Sequence, residues 1–154
     1  MKVKNNLFST PKYTNGNISL MPKNGQKSLI AKYIKQRADI DPNGMFDVIA
    51  HGSWKEIEVN GINKVIRIDA RQAAKIIKRK AKFKNAKAIR LLSCSTGARA
   101  DGFAQNLANA LGKTVYAPNM TIHCCENGTY WISDNGIKGE FIKFEPGGNK
   151  NEKK

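Results

Sequence analysis

The chain has 154 residues, with 27 Lys and Arg against 12 Asp and Glu, which gives a formal net charge of +15. This length suits one domain with a single core, and apolar runs of only a few residues exclude a transmembrane helix. Three cysteines, two of them adjacent, exclude a disulfide framework and favour reduced thiols, and the polar N-terminus shows no signal peptide.

The first part of the chain contains polar segments and short segments in which apolar residues follow a helix or strand pattern. Residues 1–27 are polar and interrupted by Pro and Asn-Gly, so they are interpreted as a loosely ordered lead-in or junction. Residues 28–38 carry apolar side chains at helical spacing and begin with Ser28, which predicts a helix with Ser28 as its N-cap. Residues 46–50 predict a buried strand, and the sequence "HGSW" follows it directly.

The second part of the chain predicts one hairpin and an alternation of helices and strands. An Asn-Gly pair between two β-branched runs predicts a hairpin over 57–68. Asp69 can cap a helix over 70–82, whose inward face is predicted to hold Ala70, Ala73, Ala74, Ile77 and Ala81. The later elements are a strand over 88–93, a helix over 101–112, and strands over 114–118, 121–125, 129–133 and 140–144.

This order of elements is typical of right-handed crossovers and a mainly parallel sheet, which is an α/β architecture. The folded domain is predicted to span residues 28–146, followed by a frayed basic tail over 147–154. Ligands of such sheets bind at the carboxyl ends of the strands, so the residues just after the strands are the candidate functional residues.

Two of these residues have the chemistry of a thiol enzyme. His51 follows the strand over 46–50, and Cys94 follows the strand over 88–93. If the two strands are neighbours, the imidazole can take the thiol proton, and the backbone N–H groups of Gly52 and Cys94 can form an oxyanion hole. The alternative is that Cys94 is a small buried side chain and His51 a structural one.

The segments around these residues resemble a known family. They are "FDVIAHGS" (46–53), "IRLLSCSTGA" (89–98), "GFAQNLANALG" (102–112) and "TVYAPN" (114–119). Together they resemble the caspase/clostripain-like clan of cysteine peptidases (clan CD), and most of all the C-terminal toxin domains of bacterial polymorphic toxins of the Rhs type.

The resemblance implies a fold and an activity. The implied fold is a caspase-like three-layer α/β/α sandwich with a mainly parallel central sheet and a small C-terminal β-hairpin. The implied activity is that of a cysteine endopeptidase, with His51 as general base and acid, Cys94 as nucleophile, and the Gly52 and Cys94 N–H groups as oxyanion hole. Such a domain would be a secreted effector that acts in the cytoplasm of a target cell and is neutralised by an immunity protein.

Several residues near the two strand ends are candidates for substrate binding. They are Ser53, Trp54, Ser95 and Asp134, with Asp101 as a second acidic candidate for selecting a basic substrate residue. The alternatives are a helix N-cap for Asp101, a turn position for Asp134, and a place in the core for Trp54 and for Trp131.

The region 70–90 contains nine basic residues and no acidic one. Four of them, Arg71, Lys75, Lys78 and Lys82, share one face of the predicted helix and are candidates for binding an anion or a partner. The field of such a surface attracts nucleic acid, a polyanion such as inositol phosphate, an anionic membrane surface or an acidic immunity protein. The alternative is a solvated helix face.

No cofactor or metal is predicted, because the adjacent cysteines of "HCC" (123–125) are poorly spaced for one zinc ion. Two other functions stay open at this point. The chain could be a nuclease toxin that uses its basic surface, or a caspase-like binding module without catalysis.

Overall fold

The computed structural model describes residues 14–20, 44–60, 64–124 and 130–147. The predicted helix over 28–38 with its Ser28 cap, and the tail beyond residue 147, lie outside the described residues. None of the helices in these ranges is long and apolar enough to cross a membrane.

The described residues form ten strands, two α-helices and one short 3₁₀ helix. The strands are β1 (Thr14–Ser19), β2 (Met45–Ile49), β3 (Ile57–Asn60), β4 (Val65–Ile68), β5 (Ala88–Leu92), β6 (Thr114–Pro118), β7 (Ile122–Cys124), β8 (Tyr130–Asp134), β9 (Ile137–Lys138) and β10 (Phe141–Phe144). The helices are α1 (Ala70–Lys78) and α2 (Phe103–Leu111), with the 3₁₀ helix over Ala81–Asn85.

The central sheet has five strands in the order β1-β2-β5-β6-β10. The first four are parallel to one another, and β10 runs antiparallel to β6. Strands β2 and β5 are buried along their whole length, which explains their nearly continuous apolar sequences. The predicted mixed α/β fold with a mainly parallel sheet is therefore confirmed.

The two strands that flank the central part of this sheet were not placed there by the sequence prediction. β1 lies inside the segment interpreted as a loosely ordered lead-in, and it pairs with β2 along the edge of the sheet. Its sequence "TNGNIS" is polar and lacks the pattern of a strand, so only pairing with β2 accounts for its conformation. β10 corresponds to the predicted strand over 140–144, but its place beside β6 could not be predicted.

Helix α1 begins as predicted and ends earlier. The Asp69 carboxylate accepts a hydrogen bond from the Gln72 N–H, and the Gln72 side chain accepts one from the Asp69 N–H. The prediction that this helix continues to residue 82 is wrong, because Lys80 has extended backbone angles (φ −84°, ψ 129°) and the 3₁₀ helix follows. Ala81 is consequently exposed and does not face the core.

Helix α2 packs its apolar face inward as predicted and ends at Gly112, which has φ +69°. Its N-cap is Gly102, so the alternative role of Asp101 as N-cap is wrong. Asp101 is instead exposed, and its carboxylate lies 3.8 Å from Arg99 Nε.

The smaller sheets are antiparallel. β3 and β4 form the predicted hairpin, with Asn60 paired to Val65 and residues 61–64 between them. β7, β8 and β9 form a three-stranded sheet, in which the β8–β9 turn at Asn135 and Gly136 has positive φ at both residues. This turn is of the kind that closes a two-residue hairpin.

Apolar side chains cover both faces of the central sheet. On one face, α1 and α2 pack over alternate residues of the parallel strands, including Val48, Leu91 and Val115. On the other face, Ile49 and Leu92 pack against Ile132 of the β7–β9 sheet and against β10. At their carboxyl ends, the strands thus have buried side chains on both faces of the sheet.

Candidate functional site

The pairing of β2 with β5 aligns the two residues that the sequence selects. Phe46 is opposite Ile89, and Ile49 is opposite Leu92, so the two strands are offset by a constant number of residues. The Ala50 N–H donates a hydrogen bond to the Leu92 carbonyl at 3.4 Å, which continues this pairing beyond the strand. Continued for two residues beyond the strands, the same offset would place His51 opposite Cys94.

The alternation of side chains puts both residues on the same face of the sheet. Ile49 and Leu92 face the β7–β9 sheet, and side chains two residues apart in a strand share a face. His51 and Cys94 follow these two residues by that interval. Cys94 packs against this same apolar cluster, which agrees with the assignment.

Gly52 brings the segment after His51 into direct contact with the turn that holds Cys94. A Cβ atom on Gly52 would lie 2.8 Å from Thr96 Cγ2 and 3.2 Å from Ser93 Cβ. Only glycine allows this approach without a shift of the neighbours. The His51 carbonyl accepts a hydrogen bond from the Glu58 N–H, which fixes the segment to β3.

The turn around Cys94 is tightly fixed to the strand on its other side. The Ser95 N–H donates to the Met120 carbonyl at 3.0 Å, and the Gly97 N–H donates to the Pro118 carbonyl at 2.8 Å. Ser95 adopts φ +57°, which is uncommon for a residue other than glycine. Positive φ in a non-glycine residue is often found at functional sites, and here it follows the candidate nucleophile.

The exposure of the site suits a reaction with a molecule from solution. His51 is exposed, whereas Cys94 is half-buried beside apolar side chains. Neither the Gly52 N–H nor the Cys94 N–H donates a hydrogen bond to another residue in the described ranges. Both donors are therefore available to an oxygen atom placed between the two segments.

The candidate substrate-binding residues occupy different positions. Ser53 Oγ accepts hydrogen bonds from the N–H groups of Lys55 and Glu56, so its side chain stabilises a turn. Trp54 is 39% exposed, and Arg99 lies over its ring. Ser95 is half-buried next to Cys94. Asp134 lies at the end of β8, directly before the β8–β9 turn.

The four candidate anion-binding residues, Arg71, Lys75, Lys78 and Lys82, are all exposed. Arg90 is the exception among the nine basic residues, since it is fully buried and forms a bidentate ion pair with Asp47 at 2.7 and 3.0 Å. The sequence analysis does not predict this pair, although both residues interrupt otherwise apolar strands.

The second histidine of the chain has a structural environment. His123 stacks on Trp131 with 5.2 Å between ring centroids, and its Nε2 lies 3.0 Å from the Ser133 carbonyl. Among the residues that the structure describes, no three His, Cys, Asp or Glu side chains are grouped so that they could hold a metal ion.

No curated protein and no solved structure matches the chain. A family model matches residues 16–132, which is well over half of the chain and includes His51, Cys94 and the strands that carry them. The chain therefore belongs to the family described as Domain of unknown function (DUF8616).

Proposed function

We propose that the chain is a cysteine endopeptidase that uses a His51–Cys94 dyad. The observation that carries this proposal is the register of β2 and β5, because the same register continued for two residues beyond the strands would set His51 opposite Cys94. His51 is exposed and Cys94 is half-buried, and an imidazole in reach of a thiol is the minimal arrangement for thiolate chemistry.

The proposed reaction has two stages. His51 accepts the proton of the Cys94 thiol, and the thiolate sulfur attacks the carbonyl carbon of a peptide bond. The imidazolium then donates its proton to the leaving amine nitrogen as the C–N bond breaks, which leaves a thioester on Cys94. A water molecule, deprotonated by His51, attacks the thioester and releases the carboxylic acid and the free thiol. General acid–base catalysis of this kind contributes about 10²–10⁴-fold to a rate.

The backbone supports the charged intermediate of each stage. The N–H groups of Gly52 and Cys94 have no competing acceptor in the described ranges, so they can donate to the oxyanion. The close packing of Gly52 on Ser93 and Thr96 supports this role, because the segments that carry the two donors are in contact. Preorganised donors of this type contribute more to catalysis than donors that must first leave a water molecule.

The proposal also concerns the layer arrangement of the fold and the biological role of the domain. We propose that the domain has the caspase-like three-layer arrangement and acts as a toxin or effector inside a target cell, as the resemblance to polymorphic toxin domains implies. The support for this is the sequence resemblance over residues 46–119 together with the order of strands β2, β5 and β6.

A partner is proposed on the basic surface. Arg71, Lys75 and Lys78 are exposed on α1, and Lys82 continues the surface along the 3₁₀ helix. The 3₁₀ helix precedes the amino end of β5, whereas Cys94 follows its carboxyl end, and the five residues of the strand span about 17 Å at about 3.3 Å per residue. An acidic immunity protein or another polyanion bound there would leave the dyad uncovered.

The alkylation of Cys94 tests the dyad without a known substrate. The single-thiol chain carries Cys124→Ser and Cys125→Ser, so that Cys94 is its one cysteine. Its thiolate attacks the methylene carbon of iodoacetamide and displaces iodide. We expect the single-thiol chain to react at least about fivefold faster at pH 6 than the same chain with His51→Asn, since an isolated thiol is almost fully protonated there.

The pH dependence and a control complete the experiment. At pH 9.5, where an isolated thiol is largely ionised, the advantage of the chain with His51 should disappear. The chain that also carries Cys94→Ser should not react at all. Equal rates at pH 6 with and without His51 would show that the histidine does not activate Cys94, and the dyad would be refuted.

A further inference from the structure

The segment after His51 and the segment after Cys94 meet a second time, outside the dyad. The Trp54 carbonyl accepts a hydrogen bond from the Phe103 N–H at 2.6 Å, at the first turn of α2. A Cβ atom on Gly102 would lie 2.6 Å from the same carbonyl oxygen. The backbone of the Trp54 segment is thus seated on the N-terminus of α2.

A contact between two side chains joins the same two segments. The Arg99 guanidinium carbon lies 4.2 Å from the centre of the Trp54 ring, which is the geometry of a cation–π contact. Trp54 follows His51 by three residues, and Arg99 follows Cys94 by five. The contact therefore joins the two segments that carry the imidazole and the thiol.

From these contacts we infer that Trp54 and Arg99 form a latch that holds the His51 segment against the Cys94 turn and so keeps the imidazole in reach of the thiol. Neither side chain takes part in the reaction, so both are positioning residues. The inference rests on the proposed dyad. It assigns to Trp54 a role different from that of a wall of the substrate cleft.

Other fixed points of the His51 segment do not replace the latch. The hydrogen bond from Glu58 to His51 ties the segment to β3, and the Ser53 hydroxyl orders its own turn. Both act within the segment that carries His51. Gly52 touches the Cys94 turn but carries no side chain, so it allows close approach without holding the segments together. Among the contacts named here, the latch is the one in which side chains join the two segments.

A double-mutant cycle tests the latch in the single-thiol chain. The measured quantity is the ratio of alkylation rates at pH 6 with His51 and with His51→Asn, which we call the His51 factor. With Trp54→Ala, the His51 factor should fall from at least about fivefold to below about twofold. With Trp54→Phe, which keeps a ring face for Arg99, most of the factor should remain.

Two further variants keep the test valid if Trp54→Ala folds poorly. Arg99→Gln removes the cation from an exposed side chain and should lower the His51 factor as well. Asp101→Asn removes the carboxylate beside Arg99 but leaves the stack intact, so it should not change the factor. The thermal unfolding midpoint of each variant is measured alongside, and only variants with a cooperative transition are compared.

The outcomes separate the latch from the dyad. A His51 factor near one in the parent chain would refute the proposed dyad, and the latch with it. A factor of at least about fivefold that is unchanged in both Trp54→Ala and Arg99→Gln would refute the latch alone. A factor that falls equally with Asp101→Asn would assign the effect to the ion pair and also contradict the latch.

Discussion

At the scale of single residues, Asp47 and Arg90 form a buried ion pair in the strands that lead to the candidate site. They are opposite each other in β2 and β5, and both side chains are fully buried. Their positions precede His51 and Cys94 by four residues in each strand, on the same face of the sheet. The ion pair therefore favours the register of β2 and β5 that the proposed dyad requires.

Removal of one member of this pair should be costly. Asp47→Asn leaves the Arg90 charge buried without its counter-charge, and we expect a loss of about 3–5 kcal/mol in the free energy of unfolding. Urea unfolding monitored by circular dichroism measures this loss. The double replacement Asp47→Leu with Arg90→Met should lose less, because it buries no unpaired charge. A loss below about 1 kcal/mol for Asp47→Asn would contradict the role given to the pair.

Residue identity is enough to propose the dyad but not to predict its surroundings. The positions of His51 and Cys94 follow from chain patterns, because short apolar runs followed by small polar residues mark strand ends. Ser53, Trp54 and Arg99 could not be assigned in the same way. Their roles depend on which segments meet in space, and no local pattern encodes the Trp54–Arg99 contact or the Asp47–Arg90 pair.

At the scale of elements, the junction between β6 and β10 shows how a late segment completes the sheet. Glu145 follows β10, and its carboxylate accepts a hydrogen bond from Thr114 Oγ1 at 2.9 Å at the start of β6. Lys143 Nζ lies 3.1 Å from the other carboxylate oxygen. The hydrogen bond from Thr114 and the interactions with Lys143 lower the pKa of Glu145 below its ordinary value.

This lowered pKa predicts an acid-dependent loss of stability. Glu145 binds a proton less readily in the folded chain than in the unfolded chain, so its contribution is present at neutral pH and is lost as the pH falls below about 4.5. The change in urea midpoint from pH 7 to pH 3 should be larger for the parent chain than for Glu145→Gln. Glu140→Gln, at an exposed position on the preceding connection, serves as control. Equal changes for the parent and Glu145→Gln would contradict this account.

The type of an element can be predicted where its apolar residues recur at a regular spacing. The ends of a helix can be predicted where the sequence contains a residue that typically caps a helix. Asp69 with Gln72 starts α1, and Gly112 ends α2, as the local chemistry of those residues requires. The end of α1 was missed because the basic residues continue past Lys78 without a break in composition. A single extended residue, Lys80, turns the chain into the 3₁₀ helix there.

Lys113 stabilises the end of the 3₁₀ helix. Its ammonium group donates to the carbonyl oxygens of Phe83 and Ala86 at 2.7 Å each and to that of Lys84 at 3.2 Å. It also lies 4.4 Å from the centre of the Phe83 ring. The cation that satisfies these carbonyls is almost thirty residues away in the chain, which is why the sequence does not reveal it.

At the scale of the whole molecule, the sheet separates two surfaces of different character. His51 and Cys94, the proposed dyad, follow the carboxyl ends of β2 and β5, whereas the 3₁₀ helix that precedes β5 carries part of the basic surface. The parallel pairing of β2, β5 and β6 follows from the alternation of elements. The edge positions of β1 and β10 do not, because they depend on pairing between distant segments.

The central claim is that the chain cleaves peptide bonds through Cys94 and His51. The most direct test incubates the purified chain with a peptide library prepared from bacterial lysate and labels every new peptide N-terminus for mass spectrometry. The chain with Cys124→Ser and Cys125→Ser should produce new N-termini with a shared sequence preference, and the chains that add Cys94→Ser or His51→Asn should produce at least about a hundredfold fewer. New N-termini formed at the same rate by the Cys94→Ser chain, or none formed by any of the chains, would contradict the claim.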